Sequence, residues 1–306
     1  MNTMIKQKTL SEVVRGHKGT LISDGSFYEI NYCTKDVGRA FLCFIENPKF
    51  LSKIDSNVSC VLCLPELVDD LPEFVTGVFV CDEPKVLFHI LLNNEAEKYQ
   101  SNQKTRIGAN CKISDLAVIA DHDVVIGDNV IIEPFVVINP NVTIGNNVKI
   151  RSHSMIGGKS FSLVKTKQEE VLGLIDVGRV FIEDNVELLS GVKIEQGILP
   201  TDCTHIGKNV KIDVLSSIGH GSKIGDRTLI ASAATIGGNA VIGEDVWIGL
   251  NATISNRIVI GNNSRVNLGS VVTQNVADNE QVSGNFAINH KGFISYMKSL
   301  KQKFVK

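Results

Sequence analysis

The chain of 306 residues has no stretch near the ~20 consecutive apolar residues that a membrane span requires. Met1 to Leu10 lacks the apolar run of a secretory signal, so the sequence reads as cytoplasmic, with no membrane span. There is little excess of either charge. The formal net charge is −2 with 21% charged residues, which leaves no overall basic field for nucleic acid and favours a small or locally recognised partner. The seven cysteines are odd in number and follow no disulfide spacing, so reduced thiols are expected. Cys60 and Cys63 form a C-x-x-C with no second pair at zinc-ribbon spacing. They lie inside the strand-like run Val58 to Leu64 and read as buried thiols, with no metal site expected.

What the sequence has in abundance is repetition. An apolar residue recurs every six positions at Ile107, Ile113 and Ile119, and then, after one extra residue, from Ile126 to Ile156. It resumes at Ile182 and holds frame to Val272, with Pro200 off pattern. Glycine often follows the apolar residue (Gly127, Gly145, Gly207, Gly225), and a small or β-branched residue often stands four after it (Val130, Ser216, Thr228). Neither a helix nor a hairpin sheet has period six. The pattern predicts strands of about three residues joined by tight turns, with Ile pointing inward and Gly, Asn or Asp at the corners. Three hexads close a triangular coil of 18 residues. About eight coils at ~4.8 Å spacing make a prism roughly 40 Å long.

Such a solenoid resembles the left-handed parallel β-helix of hexapeptide-repeat acyltransferases. The expected fold is mainly β: a small α/β domain over 1–103, the left-handed β-helix over 104–276, and a tail with a short helix over 277–306. The resemblance implies a homotrimer with active sites between neighbouring prisms. Residues 157–181 break the period and are expected to form a functional loop that reaches a neighbouring subunit. In the tail, Phe293, Met297, Leu300 and Phe304 are spaced as one helix face, predicting an amphipathic helix that caps the end.

Before the repeat, the segment Phe44-Ile45-Glu46-Asn47-Pro48-Lys49-Phe50 is similar to the F-x-x-N-P-K-Y of UDP-3-O-acylglucosamine N-acyltransferases of lipid A synthesis. The resemblance implies that Phe44, Asn47 and Phe50, the last in place of tyrosine, hold a uracil base. Aromatic faces stack on bases and an amide reads a base edge. The competing reading is a helix start with core phenylalanines.

Acyl transfer from a thioester needs a base for the attacking group and a donor for the developing oxyanion. His220, in Ile218-Gly219-His220-Gly221, falls at a corner facing out of the prism. Counting 18 residues either way predicts Gly238 above it and Asp202 below. His220 is the expected base, Asp202 the group that orients its ring, and the Gly238 N–H the oxyanion donor. The lipid A family places its histidine in a similar corner, with the oxyanion glycine one coil later. The chain departs from that family in Gly221 for Asn, Glu195-Gln196-Gly197 for Asp-Arg-Gly, and Arg257 where a second histidine is expected. His153 and His205 are weaker candidates for substrate contacts.

The acyl donor is expected to be acyl-CoA or acyl carrier protein as co-substrate, with no tightly bound cofactor. Lys291, Lys298, Lys301, Lys303 and Lys306 suit either nucleotide phosphates or an acidic carrier helix. The favoured function is N-acylation of a UDP- or dTDP-linked amino sugar in surface-glycan synthesis from a short-chain acyl-CoA. The alternatives are the lipid A N-acyltransferase using acyl carrier protein, and a β-helix that binds without catalysis.

Overall fold

The computed structural model describes residues 6–35, 37–99, 101–284, 287 and 289–304. Asn285 and Lys306, and the side chains of Lys301, Lys303 and Phe304, lie outside the described residues.

The N-terminal domain is a five-stranded sheet in the order Thr20–Ser23, Gly77–Val80, Val58–Cys63, Phe41–Ile45, Glu29–Ile30, with the first pair antiparallel and the others parallel. Alternation of side chains along the strands makes two cores. Leu42, Cys60 and Leu62 pack with helices α1 (Leu10–Val13) and α2 (Pro84–Glu95). Phe41, Cys43, Ile45 and Cys63 pack on the opposite face. Cys60 and Cys63, three apart in a strand, therefore point to opposite sides. Burial pushes each thiol up to about 11.

From Arg106 to Val282 the chain winds into three parallel sheets of eight, nine and eight strands, and it is a left-handed parallel β-helix. The periodic residues pair rung to rung, as in Ile126 with Ile144 and Ile132 with Ile150, and their side chains form one continuous buried column. The hydroxyls four positions later are buried too. Ser216, Ser222 and Thr228 donate to turn carbonyls at 3.0, 2.9 and 2.8 Å, which satisfies them inside the prism.

The corners explain the Gly-Asn-Asn clusters. Asn129, Asn147, Asn185 and Asn209 have φ near +60°, a region that asparagine tolerates. The side chain before Asn129, Asn147 and Asn185 caps the coil below, as when Asn146 Oδ1 accepts from Asp128 N at 2.8 Å. Gly145 is glycine because a methyl group there would collide with the Asp184 carboxylate. The last rung is Gln281–Val282, six residues beyond the boundary expected from the repeat.

Two insertions interrupt the coils. Ile156 pairs with Ile194, 38 positions on, so that coil carries the excursion. The excursion forms a hairpin, Leu163–Lys165 with Val171–Gly173, and docks on α2 of its own chain. Asn93 makes two of the fixing bonds, donating to Gly173 O at 2.9 Å and accepting from Ile175 N at 2.8 Å, and Glu83 at the start of α2 accepts from Lys167 N at 2.6 Å. Ile194 pairs in turn with Ile218, 24 positions on, because Pro200 belongs to a second, six-residue insertion. Ile198 and Leu199 of this insertion, with Leu174 of the excursion, enter the core around Leu10, Phe27 and Phe88. At roughly 1.5–3 kcal/mol per buried aliphatic side chain, these three fasten the domain to the prism.

The C-terminal helix α3 (His290–Phe304) forms, but it does not cap the prism as expected: Phe293 is 46% and Met297 37% exposed.

Candidate active site

The corner after Ile218 faces the N-terminal domain and carries His220, half-buried. Its imidazole lies against Gly238, one coil above, where a Cβ would collide with Nε2 and Cε1. Asn239 places its amide nitrogen 3.5 Å from Nδ1, and the His220 backbone N–H donates to Glu195 Oε2 at 3.2 Å. Burial lowers the imidazole pKa, while Glu195, Asp176 and Asp202 work in the opposite direction and Arg257 adds to the lowering. The net result favours a neutral ring, the form a general base requires.

Two of the expected roles change. Asp202 is not stacked beneath His220: the six-residue insertion makes that coil 24 residues long, so Gln196 takes the position. Asp202 is buried and accepts instead from Lys35 Nζ at 3.0 Å and from Leu199 N at 3.3 Å. It joins domain to prism and acts on His220 only through its charge. Gly238 does stack above His220, yet its N–H already donates to Asn256 Oδ1 at 3.0 Å. An oxyanion would have to displace that amide, so the firm role of Gly238 is to leave room for the ring.

Sequence reasoning missed Glu195 as the nearest carboxylate, although it stands in the family's Asp-Arg-Gly position. It also missed the second ring of groups around the corner. Asp176, from the end of the excursion, is buried and accepts from Ser160 N and Oγ at 2.5 and 2.8 Å, with burial raising its pKa. Tyr32 packs its ring on Phe88 of the same N-terminal domain, 5.6 Å between centroids, and burial with the charges of Asp202 and Asp176 pushes its hydroxyl up to about 12.

The proposed base pocket is less open than the motif suggests. Phe44 is half-buried, 4.9 Å from the Phe88 ring in the core on the α2 side, whereas Phe50 packs on the opposite core under Lys49. Asn47 is exposed, and its carbonyl oxygen caps the turn Pro48–Lys53 by accepting from Lys49 N at 3.1 Å. The amide NH2 of Asn47 is the part left for a ligand. His205 lies on the strand Cys203–Ile206, stacked on Phe181 at 5.7 Å and bonded to Glu183 at 2.9 Å. His153 stacks on Phe135 at another edge. Lys291 and Lys298 are exposed on α3. Among the described residues, no group of three His, Cys, Asp or Glu side chains could hold a metal ion, and no helix is long and apolar enough to cross a membrane.

The family model described as bacterial transferase hexapeptide (six repeats) matches residues 123–158 and 203–238. The second segment includes His220 and Gly238. These two segments of the chain carry the hexapeptide repeat that the model describes. Among curated proteins it is 41% identical over 78 residues to a UDP-3-O-acylglucosamine N-acyltransferase of Coxiella burnetii. It is 35% identical over 79 residues to UDP-3-O-acylglucosamine N-acyltransferase 3 of Gloeobacter violaceus. Each match spans 26% of this chain and only 22% of the relative. Among solved structures, a UDP-N-acetylglucosamine acyltransferase from Campylobacter jejuni aligns with a TM-score of 0.53 at 20% identity, covering 65% of this chain and 80% of that one. That likeness establishes the shared β-helix.

Proposed function

We propose that the protein is an acyltransferase that moves an acyl group from a thioester to the amino group of a UDP-linked amino sugar, with His220 as general base. The observation that carries this reading is the His220 corner. A half-buried imidazole, kept neutral by burial, lies against a glycine that makes room for it and faces a second domain. The names of the relatives favour the reading in which the acceptor is a UDP-3-O-acylglucosamine, and the donor that goes with that reading is acyl carrier protein. They give no comparable support to dTDP or to a short-chain acyl-CoA. A purely binding β-helix would have no use for a neutral imidazole seated on a glycine.

The homotrimer belongs to the same proposal. The edge between the second and third sheets carries exposed apolar side chains at Leu116, Phe135, Leu215, Leu250 and Leu268, interrupted by Ser152-His153 and Ser190-Gly191, with Leu215 71% exposed. A prism edge repeated about a threefold axis would bury these side chains.

The direct experiment supplies UDP-3-O-acylglucosamine with either acyl carrier protein or coenzyme A thioesters and follows amide formation by mass spectrometry. Amide product with the carrier-borne chain supports the reading. Product with acyl-CoA alone would transfer the donor role to coenzyme A, and no product with any thioester would remove the activity.

A further inference from the structure

From Lys149 to Gln281 the outward row of the second, nine-stranded sheet is charged or polar, except at the adjacent rungs Leu229 and Trp247. There a hollow of about 250 Å³ opens in the face. Its apolar lining includes Leu189, Leu229, Ala231 and Trp247, and its polar members are Glu187, Lys211 and Asp213. Ala231 holds the place that Asp213 and Leu189 fill in the two coils below, so a methyl group stands where those coils carry a longer side chain.

The polar members are already paired within the fold. Glu187 accepts from Arg151 Nη2 at 2.7 Å, Lys211 Nζ donates to Asn185 O at 2.9 Å, and Asp213 accepts from Val214 N at 2.8 Å and from Ser232 Oγ. Arg265, the cation one rung above, lies over the Trp247 ring at 5.3 Å. What the hollow offers an occupant is therefore apolar surface. Small-molecule sites run to ~300–1,000 Å³, so this one is below that range and nearer the size of a protein side chain.

The hollow adjoins the exposed apolar edge. Leu189, Asp213 and Ala231 each lead into one of its corners, as in Asp213-Val214-Leu215. A closed ring of three copies is heterologous, so the surface each copy presents differs from the surface it receives on. The edge supplies only one of the two. Copies about an axis along the prism meet at equal heights, and the coils of Ile212 and Trp247, which line the hollow, carry Leu215 and Leu250 at the edge, 71% and 49% exposed.

We infer that the hollow is the receiving half of the contact between copies of this chain: the exposed leucines of one copy's edge seat against Leu229 and Trp247 on the second face of the next. The inference rests on the homotrimer of the proposed function and assigns to it a surface on a different face from the His220 corner.

Trp247 is the chain's single tryptophan, so its emission reports this surface alone. Light scattering and acrylamide quenching across a dilution series of the full chain test the inference. The wild-type trimer should shield Trp247, with emission moving to longer wavelength and quenching rising as dilution separates the copies. Leu215→Asp should leave Trp247 as open as in the diluted wild type. Ala231→Glu, which brings a carboxylate into the hollow, should raise the concentration of half-dissociation by at least ~10-fold. The wild-type series stands whether or not that variant folds. A wild-type trimer whose Trp247 stays as quenchable as in separated copies would overturn the assignment and leave the trimer standing. A wild type that never forms a trimer would overturn both. An emission shift when dodecanoate is added to the trimer would give the hollow to a hydrocarbon chain and overturn the assignment as well.

Discussion

Gly238 sits one coil above His220, and a methyl group on its Cα would occupy the space of the imidazole Nε2. Its φ lies outside the left-handed region, so the backbone would accept alanine and only the neighbouring ring excludes it. Gly238→Ala should therefore fold with a melting temperature near wild type while pushing the imidazole off its position. Misplacing a catalytic group costs about 10²-fold in kcat. Wild-type kcat in Gly238→Ala would show that the ring position does not matter.

The Lys35 and Asp202 pair joins the two domains. Asp202 is 4% exposed and Lys35 41%, so removing the lysine leaves a buried carboxylate with only the Leu199 N–H. Lys35→Met should cost about 1–2 kcal/mol in chemical denaturation, reduced from the fully buried case by the exposure of the lysine. Asp202→Asn keeps the acceptor for Leu199 and should change kcat by no more than a few-fold, because the side chain does not bond to the His220 ring. A loss of 10³ in Asp202→Asn, with stability unchanged, would restore the orienting role that the spacing suggested.

Stability on the acid side should depend on His89. It is 3% exposed, its Nδ1 lacks a partner, and burial, aided by Lys85, pushes its pKa down to about 4. The unfolded chain takes up this proton first, as pH falls through the ordinary value near 6.5, so stability is full above that value and is lost down to about pH 4. At pH 5 the loss is about 2 kcal/mol. In urea unfolding, His89→Leu should flatten this dependence between pH 7 and 5. An equally steep decline in the variant would place the acid sensitivity elsewhere.

Leu215, exposed at a left-handed corner of the apolar edge, is the position at which a charge would disturb the proposed trimer without entering the prism core. Light scattering should show a trimer for the wild type and smaller species for Leu215→Asp. A trimer that survives Leu215→Asp, Phe135→Asp and Leu268→Asp together would move the interface to another face.

The solenoid was legible because each inward Ile reports its rung, and the three sheets follow from that period alone. The same regularity concealed the error over Asp202. An insertion of six residues keeps the frame of a six-residue repeat, so only Pro200 marked it, and counting by 18 carried the prediction to the wrong residue. Composition likewise showed that residues 157–181 leave the coil but not where they go, since docking on α2 depends on Asn93 and Leu174 meeting in space. The α3 helix was predicted from its apolar spacing, and spacing does not say whether anything covers that face. His220 was found because a corner histidine is visible in the repeat. Asp176, at the end of the excursion, has no periodic mark that could have placed it against Gln196 beneath that corner.

The most direct test of the account is the pH dependence of acyl transfer to UDP-3-O-acylglucosamine by wild type and His220→Ala, measured as kcat and kcat/KM. The half-buried ring should leave the fold intact on removal, and kcat should fall by ~10² to 10⁴. The wild-type limb that rises with pH should begin below the ordinary histidine range, since burial lowers this pKa. It should be absent in His220→Ala and move to still lower pH in Glu195→Gln, where the carboxylate that most raises the His220 pKa is gone. A folded His220→Ala protein with kcat within a few-fold of wild type and the same acid limb would contradict the assignment of His220 as the base.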